Sequence, residues 1–230
     1  MERSAEQVRE NYKRITDRIG EAMAKYRKPE EQVQLMAVTK TVDPALVNVA
    51  VECGVRLLGE NRVQEYESKT AQYDPRAQVQ FIGQLQTNKV KYLIPEISMI
   101  QSVDSLHLAN EVERIAARAG KVQDILLEVN IGGEESKGGI PAEELHGLLE
   151  EAARKPHLHV CGLMTIPPKT DVEKYFFRMQ KLFIDISAEN MDNIDMDILS
   201  MGMSGDFKEA IAAGSTLVRI GSAIFGDRQY

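Results

Sequence analysis

The stretch Met36-Ala37-Val38-Thr39-Lys40 ends a run of small and apolar residues on a lysine. Apolar strands stay inside, and lysine rarely does. Strand residues alternate between faces, so Met36, Val38 and Lys40 point the same way. An ammonium partly stripped of water at such a strand tip has a lowered pKa and becomes an amine nucleophile. That is the chemistry of a Schiff base with a carbonyl compound. The competing reading is a lysine that reaches back to solvent or pairs with Glu60.

A second group of residues lies near the other end of the chain. Ser200, Gly202, Ser204 and Gly205 precede a helical pattern starting near Asp206, and Arg219-Ile220-Gly221-Ser222 precedes another short one. Glycines let backbone N–H groups approach an anion, and serine hydroxyls add donors. Two neighbouring loops of this kind read as a phosphate cup, against the plainer reading that the glycines only make tight turns. A lysine for an aldehyde and a cup for a phosphate together describe pyridoxal 5′-phosphate (PLP). Sites for that cofactor place Asp or Arg against the pyridine nitrogen. Arg219 is the candidate, with a rim salt bridge to Asp227 or Glu60 as the competing role. An arginine there leaves the nitrogen unprotonated and the ring a weaker electron sink, which limits carbanion chemistry.

These residues need a scaffold that gathers strand ends on one rim. Eight short apolar runs recur at 35–38, 55–59, 79–83, 97–103, 125–129, 158–164, 197–202 and 217–221. Helical patterns separate them. Asp43-Pro44 reads as an N-cap followed by proline at the first helical position. Leu108, Val112, Ile115 and Ala116 share one helical face, as do Phe176, Met179, Phe183 and Ile186 behind a start signal at Asp171. Eight alternating units predict an α/β fold, a (β/α)8 TIM-type barrel rather than a doubly wound sheet, with its site at the C-terminal strand ends. An extra N-terminal helix, capped by Ser4 and Gln7, packs outside or plugs one end. No linker or repeat divides the chain, so residues 1–230 are expected to form a single domain.

Bulk properties narrow the function class. The 230 residues carry a net charge of -7 with 43% hydrophobic and 27% charged residues. This balance argues against nucleic acid and acidic membranes as partners. No apolar run approaches the roughly 20 residues of a membrane helix. The N-terminus lacks the apolar core of a signal peptide. Two distant cysteines, Cys53 and Cys161, imply a reducing compartment, so a cytoplasmic location is expected.

The motifs "MAVTK", "GENRVQE", "FIGQLQTNK", "GLMTIP" and "SMGMSGDFKEAIAAGSTLVRIGSAIFG" resemble the YggS/PROSC group, the PLP homeostasis proteins, from about residue 35 to 226. The resemblance implies a fold type III PLP barrel like the N-terminal domain of alanine racemases, with PLP held as an internal aldimine on Lys40. It implies that Asn61 and Met164 line the cofactor, that Ser200, Ser204, Gly221 and Ser222 hold its phosphate, and that Arg219 faces the ring nitrogen. Gln84 stands where many members have histidine. Racemases of this fold continue into a β-rich domain that brings a second acid/base residue, and none is read here. The resemblance therefore implies a PLP-binding protein of vitamin B6 homeostasis and, indirectly, amino-acid balance. Apo PLP-enzymes are the expected acceptors and a monomer the expected state.

Two other readings compete. A small amino-acid racemase needs a second acid/base group opposite Lys40. A Schiff-base aldolase acting on a sugar phosphate explains Lys40 and the cup, but not Arg219. Other signals point to structure. His157 and His159 in "HLHV" form no metal site without a third ligand, Tyr66, Tyr73 and Tyr92 read as packing residues, and the loop 131–139 reads as a mobile rim segment or a lid through Lys137.

Overall fold

The computed structural model describes residues 4–134, 137–189 and 191–227; Glu135 and Ser136 of the rim loop lie outside them. The chain alternates strands and helices from β1 (Gln34–Val38) onwards. There follow β2 (Leu57–Glu60), β3 (Gln78–Phe81), β4 (Met99–Val103), β5 (Gln123–Asn130), β6 (Ile140–Pro141), β7 (Leu158–Met164), β8 (Ile194–Met203) and β9 (Leu217–Ile220). All pairings are parallel. β1 joins β2 on one side and β9 on the other, and β4 joins β5, so every strand but β6 belongs to one closed eight-stranded barrel. The two-residue β6 pairs beside the top of β5.

The eight expected strands are all present, with shifted ends. β2 begins at Leu57 rather than Val55 and takes in Glu60, and β8 begins three residues earlier than its apolar run. The acidic Asp195 hid that early start.

Alternation sorts each strand into two faces. Met36 and Val38 meet Ile82 and Leu217 inside the barrel, while Ala37 packs outward with Val47, Val51 and Ile220. Met99, Leu126, Cys161 and Met164 form a second interior group. Eight strands leave an interior that side chains just fill.

The outer layer holds α2 (Pro44–Cys53), α3 (Val63–Lys69), α4 (Leu106–Arg118), α5 (Leu145–Ala153), α6 (Val172–Ser187), α7 (Phe207–Ala212) and α8 (Ser222–Phe225). The Asp43 carboxylate accepts from Ala45 N–H at 2.8 Å, with Pro44 in the first turn, as the sequence pattern predicts. Asp171 precedes α6 in a left-handed conformation and makes no side-chain cap. The N-terminal helix α1 (Ala5–Tyr26) packs outside, against α2, α7 and α8. Its buried Asn11 donates from Nδ2 to the carbonyl of Ile224 at 2.9 Å, tying it to α8. Tyr66 and Tyr73 are buried, whereas Tyr92 is exposed beside Lys89 and Lys91. No helix among the described residues is long and apolar enough to cross a membrane.

At the irregularity between β7 and β8, Gly162 adopts φ 144°, and a Cβ there would stand 1.9 Å from the carbonyl oxygen of Ile198. A side chain would have to push two barrel strands apart. Gly162→Ala is expected to lower unfolding free energy by about 3 kcal/mol or more, measured by urea denaturation. A loss below about 1 kcal/mol would mean that the bulge relaxes freely.

Candidate functional site

Lys40 follows β1 by two residues and continues the inward-facing series of Met36 and Val38. Thr39 holds the strand end in register, its N–H donating to Gly59 O at 3.0 Å. Its hydroxyl donates to Glu60 Oε1 at 2.6 Å, and Tyr73 donates to the same oxygen at 2.5 Å. Glu60 is fully buried; burial raises its pKa against the pull of these two hydroxyls. Immediately after the lysine, Thr41 takes φ 59°, a conformation that β-branched residues rarely adopt. Its N–H donates to Glu65 Oε1 at 2.5 Å. The partly buried Lys40 is thus framed by a hydrogen-bonded strand end and a strained turn.

A cavity of about 340 Å³ opens above it, lined by Lys40, Ser204, Arg219, Gly221 and Ser222 together with Val38, Val42, Met203, Phe225, Gly226 and Asp227. Five of the eight residues singled out in the sequence therefore converge on one wall. Ser204 sits in the tight turn after β8, where Met203 N–H donates to Asp206 Oδ1 at 2.6 Å. The backbone N–H groups of Gly221 and Ala223, at the start of α8, both donate to Ser204 Oγ at 3.3 Å. Two N–H groups that converge on one hydroxyl oxygen form a small donor cradle of the kind that suits an anion.

Arg219 points inward from β9, two residues beyond Leu217, and is 3% exposed. Nη1 donates to Ser200 O at 2.8 Å and Ser200 Oγ at 2.6 Å, and Nη2 to Thr165 O at 2.9 Å. Burial pulls its pKa down to about 10, against the attraction of Glu128 and Asp206, so it stays charged at neutral pH.

The other three candidates stand outside this wall. The buried Ser200 hydroxyl donates to Gln101 Oε1 at 2.7 Å while accepting from Arg219. Met164 is buried in the interior group beneath. Asn61 lines a neighbouring polar recess with Arg62, Gln84, Asn88 and Lys89, and its buried Oδ1 has no hydrogen-bond partner. Gly83 presses on it, since a Cβ there would stand 2.1 Å from Asn61 O. Lys137 Nζ donates to Pro167 O at 2.8 Å and pairs with Glu134 at 2.6 Å, tying the rim loop to the turn after β7.

Glu128 escaped the sequence reading, though an acid in the apolar run "ILLEV" two residues after an inward Leu126 was the available signal. Burial, reinforced by Asp104, pushes its carboxyl up to about 7 against the pull of Arg219. Gln80 and Gln101 were missed for the same reason. Their side chains are buried and bonded, Gln101 Nε2 donating to Gln80 Oε1 at 2.6 Å.

The Glu128 shift has a defined sign. The folded state holds this proton more tightly than the unfolded chain, whose Glu titrates near ~4.3. Stability therefore falls as pH rises from about 4 to about 7, and the loss is complete above that window. Glu128→Gln removes the titration and should gain about 3–4 kcal/mol relative to the wild type between pH 4 and pH 8. Urea midpoints across that range provide the check, and a pH-independent difference would refute the assignment.

The model of the alanine racemase N-terminal domain family matches residues 5–229. The pyridoxal phosphate homeostasis protein of Aquifex aeolicus is 42% identical over 226 residues, covering 96% of this chain and 98% of its own. The structure of PipY from Synechococcus elongatus PCC7942 with PLP bound superposes with a TM-score of 0.81 at 29% identity, covering 94% of this chain and 100% of that one. The alanine racemase of Streptomyces coelicolor A3(2) shares the fold, with a TM-score of 0.77 at 18% identity over 98% of this chain and 59% of its own. The barrel is therefore of the fold type III class, and the chain belongs to the alanine racemase N-terminal domain family, among the pyridoxal phosphate homeostasis proteins.

Proposed function

We propose that this protein binds PLP in the cavity above Lys40 and serves intracellular vitamin B6 homeostasis, and through it amino-acid balance. The observation that carries the reading is the convergence of an amine, a buried cation and an N–H cradle on one cavity. Its volume of about 340 Å³ lies within the range of small-ligand pockets, roughly 300–1,000 Å³. Ser204 Oγ satisfies two N–H groups only at 3.3 Å, and a phosphate oxygen is a stronger acceptor for the same donors.

When bound, PLP supplies an aldehyde that an amine can capture reversibly. Lys40 is the anchoring amine. The N–H groups of Gly221 and Ala223, with the hydroxyls of Ser204 and Ser222, bind the phosphate. Arg219 faces the pyridine nitrogen. Its guanidinium has no lone pair and keeps its proton, so it orients the ring without protonating it. Ser200 acts one step back, holding Arg219 from below, and Met164 closes the floor of the interior. Asn61 borders the cofactor from the adjoining recess. This arrangement holds the cofactor rather than driving bond changes alpha to an amine. In this reading the holder is monomeric and passes PLP to apo PLP-enzymes, and a cytoplasmic location fits its two distant, unpaired cysteines.

Three measurements test this reading. Borohydride treatment of the PLP-loaded protein should fix the label on Lys40, located by peptide mass spectrometry, and Lys40→Ala should abolish it. Recovery of the label chiefly on another lysine would refute the anchor. Ser204→Ala should weaken PLP affinity by about 10- to 100-fold, the value of one or two hydrogen bonds to a charged group, read by absorbance titration. For handover, PLP-loaded protein is mixed with an apo PLP-enzyme and a trap for free PLP. Activation that survives the trap supports direct delivery, and its disappearance refutes it.

A further inference from the structure

At the opposite, N-terminal end of the barrel, three side chains of different strands converge. Asp124 of β5 and His159 of β7 are paired in register, and Cys161 follows His159 by two residues on the same face. His159 Nδ1 lies 2.9 Å from Asp124 Oδ1 and 3.4 Å from Cys161 Sγ, and the donor atoms of all three lie within 4.8 Å of one another. On the far side of the imidazole, Nε2 lies 2.8 Å from Asp195 Oδ2 of β8. Nothing in the cofactor cavity uses these residues.

We propose that this cluster is a site for a divalent d-block cation of the zinc class, bound by Asp124, His159 Nδ1 and Cys161, with Asp195 holding the histidine from behind. The donor set mixes thiol, imidazole and carboxylate, which selects such cations over Mg²⁺ or Ca²⁺. Bonds of about 2.0–2.3 Å in a tetrahedron set its ligand atoms roughly 3.3–3.7 Å apart, so the 2.9 and 3.4 Å separations from His159 Nδ1 need only small adjustments. Asp195 accepts the Nε2 proton, which leaves the Nδ1 lone pair for the ion, the arrangement in which a carboxylate orients a metal-binding histidine. Cys161 is buried while the His159 and Asp124 side chains remain 33% and 46% exposed, so an ion reaches the thiol through a polar entrance. Coordination releases the thiol proton to solvent, and a water completes the fourth position. Cross-linking β5 to β7 at the end remote from the cofactor gives the ion a structural role, consistent with the stabilising part played by that face of such barrels.

His157 takes no part. Its ring and N–H are both held by Glu113, at 2.8 and 2.9 Å. "HLHV" therefore supplies one ligand, His159, and the others come from Cys161 on the same strand and Asp124 on the neighbouring β5.

The full chain, freed of metal with a chelator, is titrated with Zn²⁺ by calorimetry and with Co²⁺ by absorbance. One Zn²⁺ per chain is expected, together with a thiolate-to-cobalt band that disappears in Cys161→Ser and persists in Cys53→Ser. Asp195→Asn should weaken Zn²⁺ by about 10- to 100-fold while keeping the band. PLP labelling at Lys40 in each variant reports that the barrel is intact. Absence of stoichiometric Zn²⁺ binding by the wild type would overturn the proposal, leaving an imidazole clamped between two carboxylates. A cobalt band unchanged in Cys161→Ser would overturn it equally.

Discussion

Arg219 carries a full charge into the barrel interior, and the upper half of the structure is arranged to keep that charge satisfied by protein rather than water. An isolated buried ion costs several kcal/mol. Here two backbone carbonyls and a hydroxyl meet the guanidinium, which spans from β9 to Ser200 within β8 and to Thr165 at the end of β7. The hydroxyl is itself held by Gln101, and Gln101 by Gln80, so the chain of bonds crosses the interior to β4 and β3. Charge balance comes from Glu128 and Asp206. Removing one link would leave a buried donor or acceptor unpaired, the costly outcome for such networks.

The lysine end is held differently. Thr39, Glu60 and Tyr73 form a buried knot on the outer side of the strand, fixing the backbone just before Lys40. The left-handed Thr41 just after it costs on the order of 1–3 kcal/mol, a strain that only the surrounding contacts sustain. The Lys40 side chain is thus carried on a backbone tied down by hydrogen bonds on both sides. Across the cavity, the four-residue α8 is too short to stand alone. Asn11 of α1 steadies it from outside by bonding the Ile224 carbonyl. The N-terminal helix is therefore a buttress for the cradle, which explains why it packs on the outer wall beside α7 and α8 and does not plug an end.

Much of this was legible in the residues alone. Eight apolar runs between helical patterns specify the barrel, because a parallel strand must be buried on both faces and a helix on one. Alternation predicted that Met36, Val38 and Lys40 share a face, since a strand has period two whatever surrounds it. The glycine- and serine-rich loops marked one wall of the cavity, because tight turns and close backbone approach demand small residues. What the chain alone determined was therefore local: which segments form, which way their side chains point, and which loops are built of small and hydroxyl residues.

Only the tertiary structure decided which of these groups meet. Ser200 looks like Ser204 in sequence, yet Ser200 lies within β8, where its hydroxyl bonds Arg219 and Gln101, while Ser204 lies in the turn beyond the strand end and lines the cavity. Glu128 and Gln101 sit in runs that read as plain strand, and their meaning depends on strands about 90 and 100 residues away. The same holds for Asp124, His159 and Cys161, which become neighbours through the register of β5 against β7. Periodicity is encoded locally, whereas register and closure follow from the packing of the whole barrel, and the chemistry of a site depends on both.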